Sequence, residues 1–205
     1  MSTHTGNIEY TDEQFGKASP GKLGMWIFLV TDAMSFSGFL LAYGILRAQK
    51  DWPADPAEAL GGVTLSGFMT FLLICSSVSM VLSIDACRNK NREGMLNWLL
   101  FTIVGGATFL GIQAYEYTHL MHEMGMTFAT YSGQGSNLFS STFFAITGFH
   151  GLHVFTGVCY LIFMYKKAFD GKFADGNHNE LEIAGLFWHF VDLVWILVFT
   201  FIYLL

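Results

Sequence analysis

The chain has 205 residues, of which 53% are apolar, 17% aromatic and only 13% charged. A soluble domain carries about 25% charged residues, so there are too few charges to cover a water-facing surface, and lipid is the solvent over much of the exterior. The formal net charge of −6 excludes nucleic acid as a partner, because phosphate binding needs clustered Lys and Arg.

Residues 1–22 are polar, with Glu9, Asp12 and Glu13. They lack the basic start and short apolar stretch of a signal peptide. They are expected to form a cytoplasmic tail, with the first apolar segment retained as anchor and targeting signal. Spanning a hydrocarbon core of about 30 Å takes roughly 20 apolar residues as a helix. Five segments qualify, at about 23–46, 61–84, 94–117, 137–165 and 181–204. The first is interrupted by Asp32 and the fifth by Asp192, whereas Ala59–Ile84 contains no Asp, Glu, Lys or Arg. Residues 23–205 therefore read as one all-α membrane domain of five transmembrane helices. The Ala48–Glu58 loop, with Trp52, Pro53 and Pro56, reads as a hinge-like gap after the first span. Gly133, Gln134, Gly135 and Ser136 mark a longer loop before the fourth. The cysteines Cys75, Cys87 and Cys159 form no CxxC pair and no even disulfide set.

Charge in the loops orients the bundle. Lys17, Lys22, Arg88, Lys90, Arg92, Lys166, Lys167 and Lys172 share one side, which is eight of the ten basic residues. Only Arg47 and Lys50 lie on the other. The positive-inside rule then places the N-terminus in the cytoplasm and the C-terminus in the periplasm.

Ionisable groups inside a bilayer are functional candidates, because a charge at the centre costs at least about 2.5–3.5 kcal/mol. Helical rise puts Asp32 and His189 roughly 12–14 Å from the cytoplasmic ends of their spans. Asp192 and His153 lie roughly 17–18 Å in, with His150 a turn deeper. His189 and Asp192 share a helix face, as do His150 and His153. The expected pairing is Asp192 with His153 or His150. These groups fit a hydrogen-bonded polar cluster tying helices together, a haem held by His153 and His189, a metal site using His150, His153 and Asp192, or a proton relay. Glu116, with His119 and His122, falls at the outer end of the third span. Small residues at four-residue spacing (Gly38 and Ala42, Ser141 and Ala145, Thr147 and Gly151) are expected at close helix contacts. Spacing for a nucleophile with its base, a phosphate loop or a zinc motif is absent, so the chain has no catalytic centre of its own.

Two long motifs go further. The segment Ser141–Val154 (STFFAITGFHGLHV) and the segment Phe187–Trp195 (FWHFVDLVW) resemble signatures of subunit III of the haem–copper cytochrome c and quinol oxidases. Gln113–Tyr117 resembles the end of that family's third helix, and Leu29–Phe36 its lipid-site helix. The resemblance spans about residues 22–205, in the order of the short, five-helix bacterial form. It implies a V-shaped bundle, with helices 1–2 against helices 3–5 and phospholipid in the cleft. It further implies a chain that binds no haem or copper, packs against catalytic subunit I and subunit II, supports proton entry there and protects the oxidase during turnover in a bacterial plasma membrane. A larger respiratory supercomplex is compatible with that role. By position, Asp32 matches the buried carboxylate beside the lipid site, where many cytochrome c oxidases have Glu and quinol-oxidase relatives can have Asp. The Thr147–His150 stretch leans towards the cytochrome c type. Asp32, with Trp26 and Trp188 near the cytoplasmic interface and Arg88 and Arg92 on the same side, is the expected lipid site. Competing identities are a partner of nitric oxide reductase, a small membrane cytochrome b, and a proton or ion carrier using Asp32 and Asp192.

Overall fold

The computed structural model describes residues 19–48, 52–53, 56–123, 125–130, 137–173 and 176–205. Lys17, Lys50 and residues 133–136 of the sequence argument lie outside them. The chain forms α1 (Pro20–Arg47), a single turn α2 (Pro56–Ala59), α3 (Thr64–Arg88), α4 (Arg92–Glu123), α5 (Asn137–Phe169) and α6 (Asn179–Phe199). A π-helical turn, Thr200–Leu204, continues α6. Five of these helices, α1, α3, α4, α5 and α6 with its π turn, are long and apolar enough to cross a membrane. In hydrocarbon every backbone N–H and C=O must be bonded within its own segment, which leaves helices as the structure for such stretches.

The helix ends follow from local chemistry. Ser19 caps α1 by accepting from the Lys22 amide, and Pro20 occupies the first helical position, where a missing N–H costs nothing. Asn91 Oδ1 accepts from the Gly94 amide at 3.0 Å at the start of α4. After α5 the chain turns at Gly171, whose φ of 79° suits a residue without Cβ. The Lys172 amide bonds the Lys167 carbonyl and the Gly171 amide bonds Ala168, the pairing of a Schellman stop. The helices outrun the apolar windows because backbone bonding continues past the last apolar residue.

Neighbouring helices meet as α3 with α4, α4 with α5, α3 with α6 and α5 with α6, while α1 rests on α6 and α5. The V expected from the resemblance, with the first two spans as one arm, is therefore corrected. The first span packs on the fourth and fifth, and the second packs on the third and fifth. The reason lies in the buried faces. On α1 the buried residues are Leu29, Asp32, Phe36 and Tyr43, one narrow stripe. On α3 a file of buried serines faces other partners: Ser79 Oγ lies 2.7 Å from Thr102 Oγ1 of α4, and Ser83 donates to the Met95 carbonyl at 3.0 Å.

The centre is filled by tryptophans of α6. Trp188 is 1% exposed and donates its indole N–H to Ser76 Oγ at 3.2 Å. Trp195 donates to Thr70 Oγ1 at 2.9 Å. The Trp188 ring lies against two glycines: a Cβ at Gly106 of α4 would fall 2.4 Å from it, and one at Gly157 of α5 would make a tight contact at 3.1 Å. Of the small residues read as packing sites, Gly151 meets the Gln113 side chain, but Gly38 faces open space. Gly106→Ala should thus destabilise the protein by about 1–3 kcal/mol through overpacking, whereas Gly38→Ala should leave stability unchanged or slightly raised. Thermal unfolding of both variants in detergent micelles measures the contrast.

Candidate functional site

The intramembrane ionisable residues are partnered differently from the sequence expectation. Asp32 of α1 meets His153 of α5, with Oδ1 3.2 Å from Nε2. The other ring nitrogen, Nδ1, lies 2.8 Å from the Phe149 carbonyl oxygen. A carbonyl only accepts, so Nδ1 carries a hydrogen, and the contact at Nε2 then needs one more proton shared between imidazole and carboxyl. Rings enclose the pair: Phe36 stands edge-on to His153 at 5.3 Å, and Phe149 at 4.6 Å. Asp32 is 8% exposed, so this is a contact held out of water.

Asp192 of α6 reaches neither His153 nor His150 within ion-pair or hydrogen-bond distance, which corrects the expected pairing. The reason is the placement of α1 on α5, which brings Asp32 to His153 in its stead. Ser77 Oγ of α3 lies 2.6 Å from Nδ1 of His189. His150 is fully buried with both ring nitrogens unpartnered, tilted against Trp195 at 5.1 Å and edge-on to Phe109 at 5.9 Å. Asp32 Oδ2 and Asp192 Oδ1 are likewise buried without partners.

Elsewhere the expected constellations separate. Glu116 is 5% exposed and accepts from Tyr203 Oη at 3.1 Å, which ties the π-helical turn to α4. His119 turns outward to Glu123 at 3.0 Å. Trp188 is sealed in the core, so it lines no lipid-facing surface, while Trp26 stays 55% exposed. Arg92 donates to the Phe169 carbonyl at 2.5 Å. Arg88 and Lys22 both clasp Glu182, which His178 approaches at 3.1 Å. Glu182, Ser77 and Tyr203 were missed by sequence reasoning. The run Ser76, Ser77, Ser79 and Ser83 inside one apolar span was the available signal for the serines. Nothing local singled out Glu182, which is one of several acids flanking the last span. Among the described residues no three His, Cys, Asp or Glu side chains are grouped to hold a metal ion.

The family described as cytochrome c oxidase subunit III matches residues 11–205. Among curated proteins, the chain is similar to cytochrome c oxidase subunit 3 of Synechocystis sp., at 38% identity over 184 residues, covering 89% of this chain and 74% of the relative. It is 33% identical over 185 residues to cytochrome c oxidase subunit 3 of Thermostichus vulcanus, covering 89% and 86%. Quinol oxidase subunit 3 of Bacillus subtilis is 32% identical over 183 residues, covering 89% and 86%.

The Asp32–His153 contact makes an energetic prediction. Asp32→Ala strands Nε2 and should cost more than Asp32→Asn, whose amide can still donate to it. The Asp32→Ala, His153→Ala double variant should cost less than the sum of its parts, by on the order of 1 kcal/mol. A double-mutant cycle of unfolding free energies in mixed micelles reads this coupling.

Proposed function

The chain belongs to the cytochrome c oxidase subunit III family of the haem–copper oxidases, and from that premise we propose that it is the non-catalytic subunit III of a proton-pumping cytochrome c oxidase in a bacterial plasma membrane. Its partners are catalytic subunit I, which carries haem and copper, and subunit II. The N-terminus and the loops at 85–93 and 166–180 face the cytoplasm, and the C-terminus faces the periplasm. Phospholipid lies along the exposed face of α1 near Trp26. The chain supplies mechanical and protonic support to subunit I and no electron-carrying group.

The observation that carries this reading is the family match over nearly the whole chain, 11–205. It is supported by the commitment of His153 to Asp32 and Phe149, and of His189 Nδ1 to Ser77, the two rings the sequence offered for a haem. A second reading, a quinol oxidase subunit III, is favoured by similarity to proteins of that name in Bacillus subtilis and Staphylococcus saprophyticus, the latter covering 95% of this chain. Asp32 rather than Glu at the buried carboxylate fits either branch.

Purification in gentle detergent should recover this chain with a large haem-bearing partner, and the haem signal should be lost when the chain is isolated alone. Oxidation of reduced cytochrome c by that complex, and not of a quinol, confirms the donor; the reverse preference selects the second reading. Asp32→Ala should leave initial turnover near normal and shorten the time over which turnover persists. Retention of a haem b spectrum by the isolated chain would overturn the assignment.

A further inference from the structure

The starts of α1 and α6 lie side by side at the charged end of the bundle. Ser19 Oγ, the cap of α1, donates to Asn179 Oδ1 at 2.9 Å. Lys22 of α1 and Arg88 of α3 both pair with Glu182 in the first turn of α6. His178, the residue before α6, completes the set. Its Nε2 lies 3.1 Å from Glu182 Oε1, and its Nδ1 lies 2.9 Å from the Gly176 carbonyl oxygen.

We propose that His178 is a proton-operated clasp. As an imidazolium it fixes the start of α6 and, through Asn179 and Glu182, the adjoining end of α1; as the pH on that side rises it lets go. Hydrogen-bond valence carries the argument. A carbonyl oxygen only accepts, so the contact with Gly176 needs a hydrogen on Nδ1. Glu182 meets a cation at each oxygen, Lys22 at Oε2 and Arg88 at Oε1, and is a carboxylate with no hydrogen to give. A ring protonated on Nδ1 alone turns the Nε2 lone pair towards that anion. A ring protonated on Nε2 alone turns the Nδ1 lone pair towards the carbonyl. Both contacts hold together only in the doubly protonated ring, so loss of one proton breaks one of them. Histidine is the side chain that makes this change between about pH 5 and 8. The clasp is therefore closed on the acid side and opens as the ring is deprotonated. Because α1 rests on α6 and α5 through one narrow buried stripe, its charged end depends on these polar contacts.

The charged groups around the ring come from every neighbouring element. Lys22 of α1, with Asp85 and Arg88 of α3, lines a groove with Glu182. Lys90, in the turn after α3, lies against Gly176, where a Cβ would fall 3.4 Å from its Cε. On the α5 side Lys167 holds Glu180 at 2.6 Å, and Lys172 shares a pocket with Asn177, Asn179 and Glu180. Lysine, arginine and carboxylate side chains keep their charge near neutral pH, so histidine is the residue type in this cluster that changes. The orientation proposed above makes the cytoplasmic pH the signal; the clasp itself is independent of which oxidase the chain serves.

The test is hydrogen–deuterium exchange with mass spectrometry on the full chain in its purified complex. Peptides covering residues 19–25 and 176–183 are compared at pH 6 and pH 8, after correction for the intrinsic pH dependence of exchange. The readout comes from this chain alone, so it stands whether or not haem co-purifies. Wild-type protection in both peptides should be about two- to fivefold greater at pH 6, the size expected of a partly exposed ion pair. The His178 side chain makes no capping bond, so His178→Gln should leave an α4 peptide around Gly106 unchanged. In that variant both end peptides should stay, at either pH, at the level the wild type shows at pH 8. Asn179→Ala should keep the pH effect in the α6 peptide and reduce it in the α1 peptide. Equal wild-type protection at the two pH values overturns the proposal, as does a pH effect that survives in His178→Gln. A wild-type α1 peptide indifferent to pH while the α6 peptide responds also overturns it, because the ring then does not reach the first span.

Discussion

A carboxylate placed in hydrocarbon must find a donor or lose its charge, and the contact between Asp32 and His153 is where that constraint organises this molecule. The first span has a thin hold on the bundle. Leu29, Phe36 and Tyr43 are the apolar members of its one buried stripe, and most of its remaining side chains face outward. Lipid tails are as apolar as Leu, so burying such a stripe against protein gains little over leaving it in the membrane. The polar contact at the middle of the stripe, flanked by the Phe36 and Phe149 rings, supplies what apolar matching cannot: a single register of α1 against α5. At one end Lys22 with Glu182 and Ser19 with Asn179 repeat the logic, and at the other Tyr43 meets Trp52 edge-on at 5.2 Å.

The remaining four spans are joined by hydroxyls. Thr70, Ser76, Ser77, Ser79 and Ser83 lie along α3, and their partners are Trp195, Trp188, His189, Thr102 and the Met95 carbonyl. Each bond is worth little in a membrane, about 0.6 kcal/mol on average, but each leaves no polar atom stranded. Two glycines opposite Trp188 let its indole come close against α4 and α5. The same feature that packs the core, small residues and hydroxyls in place of large aliphatics, also gives His189 its partner in Ser77.

A subunit of this kind has work to do without a redox centre. His119, His153, His178 and His189 are engaged with protein groups, and the outer surface is apolar over much of each span. A partner that needs a rigid flank in the membrane and a charged approach on one face is served by both properties. The two carboxylates differ, because Asp32 is locked into a helix contact with His153 while Asp192 keeps one buried oxygen without a partner.

Composition and hydropathy alone determined that this is a five-span membrane protein, since lipid leaves only one way to satisfy a backbone and about 20 apolar residues are needed for each crossing. The motifs at Ser141–Val154 and Phe187–Trp195 carried the family, because they are long strings in a fixed order. Partner choice was beyond the sequence. Helical periodicity puts His150 with His153, and His189 with Asp192, on common faces, but it is silent on how neighbouring helices rotate and slide against one another. That rotation brought Asp32 to His153, set Ser77 against His189, and turned Trp188 from a supposed interface residue into the centre of the core. Lateral order was equally hidden: α1 sits against α5 and α6 while α3 packs on α4 and α6. Only three-dimensional packing, which sets what donor and acceptor come within reach of each other, decided those pairings.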